Sequence, residues 1–153
     1  MPADSASRQT AREHVATLLN TEMVGAGKPL QIVYDHEPET LTELPAIAVV
    51  SGGSARVQAG IGTTRYRNEF RLTLMTYVKD TDPNVGWTSD NVEDQLDNLD
   101  KELADVIADN RAVSGKWTYL GFEEGMSDVF TDIERGCKVE IRNIIVMYFE
   151  PGG

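Results

Sequence analysis

The sequence predicts an α+β fold: a mostly antiparallel, twisted sheet with two amphipathic helices packed on one face. Three observations carry that expectation. Two stretches repeat apolar residues at helical spacing, Ser7–Met23 and Asp90–Asn110. Six other stretches are apolar at strand spacing or in short continuous runs. The order helix, strands, helix, strands lacks the regular βαβ alternation of a doubly wound sheet.

In the first helix Ala11, Val15, Leu18, Leu19 and Met23 share one stripe; Gly25, Gly27 and Pro29 stop it. Gln31–Asp35 is a short β-prone run. After the acidic loop Glu37–Glu43 and Pro45, the continuous apolar run Ala46–Val50 predicts a strand covered on both faces. Ser51-Gly52-Gly53-Ser54 is expected to end it, and Gly52–Thr64 is read as a mobile loop or arm. From Arg65 to Val78 the alternation is strict: Tyr66, Phe70, Leu72, Leu74, Thr76 and Val78 against Arg65, Arg67, Glu69, Arg71, Thr73 and Tyr77. This run exceeds an ordinary strand of about five or six residues, so its start is expected to project beyond the core.

The second helix repeats Val92, Leu96, Leu99, Leu103, Val106 and Ile107, with Asp90 and Glu93 at capping-box spacing. Its outer face is Glu93, Asp94, Asp97, Asp100, Lys101, Asp105 and Asp109, first of all a solvated surface. Trp117–Phe122, Ser127–Ile133 and Cys137–Phe149 form a closing meander, with a turn at Glu134-Arg135-Gly136. Trp87 and Trp117 are read first as core residues. No repeat or linker divides the chain, so residues 1–153 are expected to form one domain, with residues 1–6 flexible.

Composition excludes several function classes. At 41% hydrophobic and 25% charged residues the chain has globular composition. Its apolar runs are far shorter than the ~20 residues of a membrane helix, and no secretory signal opens it, so a cytosolic site of synthesis is expected. The single Cys137 reads as a buried structural thiol. The net charge of −11 is uneven: 80–110 holds ten acids and one lysine, whereas 65–79 holds Arg65, Arg67, Arg71 and Lys79 against Glu69. So acidic a surface repels phosphate backbones, and ordinary nucleic-acid binding is not expected.

Catalytic chemistry has little to work with. His14 falls on a helix and His36 in Asp35-His36-Glu37, where neighbouring side chains do not converge on a metal. Gly25-Ala26-Gly27-Lys28 fails as a phosphate loop: Glu22 stands where its first glycine belongs, and Pro29 replaces the Ser or Thr. Gly60-Ile61-Gly62 fails as a dinucleotide fingerprint, having Arg65 at the third glycine. The carboxylates of the second helix have no imidazole or apolar pocket to tune them. No enzyme, cofactor or metal site is expected; a small enzyme or ligand-binding domain built around His36 is the minor alternative.

Taken in order, Arg8–Met23, Leu44-Pro45-Ala46-Ile47-Ala48-Val49, the long strand Arg67–Val78, the acidic helix Asp90–Asn110, Trp117-Thr118-Tyr119-Leu120, Glu123-Glu124-Gly125 and the long final strand resemble in layout the tail terminator proteins of long-tailed bacteriophages. The resemblance covers nearly the whole chain, and related neck proteins that complete the head share parts of it. It implies a structural virion protein at the tail–neck junction: a homo-oligomeric, hexameric ring closing the head-proximal end of the tail tube and touching tube and neck proteins. DNA would pass through its channel without specific binding. A head-completion or neck adaptor protein is the alternative. The implied subunit or tube contacts are Arg65, Tyr66, Arg67 and Arg71, with the acidic helix of a neighbour, Asp97 included, as their complement.

Overall fold

The computed structural model describes residues 7–58, 66–79 and 89–150. In chain order they form α1 (Arg8–Met23), β1 (Ile32–Tyr34), β2 (Ala46–Gln58), β3 (Tyr66–Lys79), α2 (Ser89–Asp109), β4 (Tyr119–Phe122), β5 (Asp128–Asp132) and β6 (Cys137–Glu150). One six-stranded sheet runs β1-β2-β3-β6, after which β4 and β5 lie end to end along the far edge of β6. Among the described strands, β1 and β2 pair in parallel and the other neighbours are antiparallel. The α+β expectation holds.

Side-chain alternation gives the sheet two unlike faces. On one face Phe70, Leu72, Leu74, Val78, Ile47, Val49, Ile144 and Val146 meet the stripes of both helices in the main core. From α1 come Ala11, Val15, Leu19 and Met23; from α2, Val92, Leu96, Leu99, Leu103 and Ile107. Full burial of each large aliphatic side chain stabilises by about 1.5–3 kcal/mol relative to exposure. Ser7 caps α1 by accepting from the Thr10 amide at 3.4 Å. The capping-box pair at Asp90 and the position of Trp87 fall outside the described side chains. Trp117 is core: 3% exposed, its Nε1 donating to the Asn110 carbonyl at 2.8 Å.

The opposite face carries a second, smaller core. Ala46, Ala48, Tyr77, Cys137 and Val139 are buried there beneath Leu41 and Leu44. Arg135 holds the covering segment, donating to the Pro38 carbonyl at 3.3 Å while its guanidinium lies 5.9 Å from the Tyr77 ring centroid. This half of the second face is therefore covered within the chain.

Two expectations are corrected. β2 does not end at Ser51–Ser54: a bulge there absorbs the irregular Gly-Gly pair, and the strand continues in register with β3 to Gln58. Within the expected loop, Gly52 and Gly53 form the bulge and residues 54–58 are paired strand; residues 59–65 lie outside the described part. Second, the acidic face of α2 is not wholly solvated, because the β6 parity that carries Lys138, Glu140, Arg142 and Tyr148 faces the helices. Lys138 pairs with Glu93, and Arg142 Nη2 lies 2.7 Å from Asp100 Oδ1, so two acids of the supposedly solvated helix face have partners on the sheet. The long stems of Lys and Arg cover apolar surface while their charged heads reach the rim, which lets a polar parity face a helix.

Candidate assembly surface

β2, β3 and β6 run for 13, 14 and 14 residues, more than twice an ordinary strand. Near Tyr66, Gln58 and Glu150 they stand side by side at one end of the sheet. The cover over β2 stops at its bulge. There Arg8 Nη1 donates to the Gly52 carbonyl at 2.7 Å, and Arg12 Nη1 to Ser51 Oγ at 2.8 Å. Beyond it, Gly53, Ser54, Ala55 and Arg56 are exposed.

The residues expected to make contacts are placed as follows. Arg65 lies outside the described residues. Tyr66 opens β3, its backbone in register between Gln58 and Glu150. Arg67 and Arg71 share the sheet face turned away from the helices, and each has an acid nearby within the chain. Arg67 Nε lies 2.8 Å from Glu69 Oε1, an ion pair whose N–H is not aimed for a hydrogen bond. Arg71 Nη2 donates to Glu123 Oε1 at 2.6 Å, crossing the Ile145 row. Asp97 is exposed on α2, on the other side of the sheet, so the structure does not bring it together with either arginine. A small depression of about 190 Å³ lies between Ala55, Glu69, Arg71 and Ile145.

A feature the sequence reading missed is the apolar far edge. Met126 and Ile133 are 98% and 88% exposed, and Val129 and Phe130 between them 48% and 43%. β5 pairs with β6 on one side only, and no strand covers its other side among the described residues. The local pattern gave no signal of it: Asp128-Val129-Phe130-Thr131-Asp132 places adjacent apolar residues on both parities, as a strand buried on both faces also does. Every charge in 123–134 is negative: Glu123, Glu124, Asp128, Asp132 and Glu134.

The histidines sit apart from this surface. His36 Nδ1 lies 2.8 Å from Asp35 Oδ1, and the hydrogen bond from His36 holds that carboxyl below its ordinary pKa. Both side chains are more than half exposed, beside an open groove of about 520 Å³ lined by Glu13, Asn20, Val33 and Tyr34. His14 is partly buried, and burial followed by the nearby Lys116 charge pushes its pKa down. Tyr148 is 6% exposed with no partner for its hydroxyl, and burial pushes its pKa up to about 12. No helix is long and apolar enough to cross a membrane, and no cluster of three or more His, Cys, Asp or Glu forms a metal site, among the described residues.

No family model matches this chain, and a search of curated proteins returns no match.

Proposed function

We propose that this chain is a structural subunit of a phage tail, a tail terminator that assembles as a ring on the head-proximal end of the tail tube and joins it to the neck. The observation that carries the reading is the three-stranded ladder of β2, β3 and β6, whose β2 margin runs past its cover at Gly52. Strands this long, with exposed margins, give a lone domain little additional core, but they give an assembling subunit backbone and side chains to offer a neighbour. The layout resemblance set out above supports the same reading. A net charge of −11, with Asp94, Asp97, Asp105 and Asp109 exposed on α2, suits a channel through which DNA moves without the counterion-release gain of binding.

The test is capture. Purified protein is mixed with terminator-free tail tubes and, separately, with filled heads, and viewed by electron microscopy, while its mass is measured across a concentration series. Rings seated on one end of the tubes are the expected result. Attachment to heads and not to tubes would move the protein to the neck, and attachment to neither would end the reading.

A further inference from the structure

Two open margins lie at opposite sides of the sheet. One is β5, with exposed Val129 and Phe130 between Asp128 and Asp132. The other is the outer side of β2 beyond Ala48, because β1 pairs only with Ala46–Ala48. Arg8 and Arg12 hold the chain at Gly52 and Ser51, and among the described residues no strand pairs with the outer side of 53–58.

We propose that these two margins are complementary, and that β5 of one copy adds as an antiparallel strand to residues 53–58 of β2 in the next. The inference rests on the ring reading above and specifies its subunit contact. Four observations carry it.

First, Val129 and Phe130 point to opposite faces of the sheet, yet both are about half exposed. A partner docked on one face would cover one of them; a strand added at the edge flanks both and also satisfies the outward backbone groups. Second, the lengths match: five residues of β5 against six of β2. Third, the charges match. The segment 123–134 holds five acids and no base, while the β2 margin has Arg56 within it and Arg8 and Arg12 beside it.

Fourth, the directions agree. β2 is antiparallel to β3, β3 to β6, and β6 to β5, so β2 and β5 run in opposite directions within one protomer. A neighbour continuing the sheet in the same sense therefore presents β5 antiparallel to β2. Because the two margins are different surfaces, the contact is heterologous and repeats from copy to copy, as a ring requires. In the shared register Phe130 aligns through Val139 and Tyr77 with Ala46, nine residues before Ala55. At ~3.3 Å per residue the neighbours are offset by roughly 25–30 Å along the strands. Closing the ring then needs strands inclined to its axis, as shear demands tilt in a closed barrel.

Cysteine cross-linking tests the contact directly. Ala55 and Phe130 share the face away from the helices, Ser54 and Thr131 the helix face, and all four are exposed, whereas the native Cys137 is buried. Ala55→Cys is mixed with Phe130→Cys, and Ser54→Cys with Thr131→Cys, the two facing pairs of one antiparallel register, under mild oxidation, with mass measured in parallel. Disulfide-linked dimers in a mixture, and not in either variant alone, are expected, and Phe130→Asp should weaken association ten-fold or more. Cross-linking of Phe130→Cys to itself would show β5 pairing with its own copy and overturn the proposal. Oligomers that form without any cross-link would overturn this contact and leave the ring standing. A monomer at every concentration, with no cross-link even when tail tubes are added, would overturn this contact, while the tube capture above decides the ring.

Discussion

Two adjacent glycines at the β2 bulge should respond oppositely to the same substitution. A Cβ on Gly52 would lie 2.8 Å from the Arg71 carbonyl oxygen and 3.0 Å from Arg71 Cγ, whereas a Cβ on Gly53 would meet nothing within 4 Å. The oxygen belongs to β3, which is hydrogen-bonded on both sides, so it cannot move aside without disturbing the ladder. Overpacking of this kind costs about 1–3 kcal/mol. Both replacements also remove unfolded-chain freedom, worth about 0.4–1 kcal/mol where the native backbone accepts alanine. Neither glycine has a positive φ, so that gain is common to both and cancels in the comparison. Gly53→Ala should be neutral to slightly stabilising, and Gly52→Ala less stable than Gly53→Ala by about 1–3 kcal/mol. Urea denaturation of dilute protein reads the difference directly. With a slope of about 2 kcal/mol/M, the midpoints should differ by roughly 0.5–1.5 M. Superimposable curves, or a more stable Gly52→Ala, would show that the bulge is not held against β3 as described.

Leu99, 1% exposed at the centre of the α2 stripe, should cost about 2–5 kcal/mol when replaced by alanine, measured by the same titration. Tyr148→Phe removes a buried hydroxyl that has no partner, and so should leave the melting temperature unchanged or raise it; a clear fall would reveal an unseen hydrogen bond. Because burial lowers the His14 pKa, the unfolded chain takes up a proton there before the folded one does. Its contribution is fully present above the ordinary value of 6.5 and is lost as pH falls from there through the folded value, so His14→Gln should flatten the decline in stability over that window. Asp100→Asn breaks a half-exposed pair with Arg142 and should lose less than about 1 kcal/mol, with the loss shrinking in high salt.

The elements were legible where a single periodicity ruled. The stripe from Val92 to Ile107 and the alternation from Phe70 to Val78 each named the side that would be buried, because a helix or strand with one apolar side has one way to face a core. The Gly-Gly pair misled, since local backbone freedom marks both a loop and a bulge, and only pairing with β3 distinguishes them. The parity of β6 was visible, but not its orientation. Lys138 and Arg142 look like solvent residues until Glu93 and Asp100 are placed above them.

By itself the sequence determined the class of fold, the two helix stripes and the length of β3 and β6, all properties of residues close along the chain. Which strands lie at the edges is a property of long-range pairing, and tertiary structure alone decided it. Asp128–Asp132 becomes an open margin only because β6 has β3 on one side and leaves β5 outermost on the other. Exposure of Val129 and Phe130 follows from that position and not from their local pattern, which would be equally at home in a buried strand.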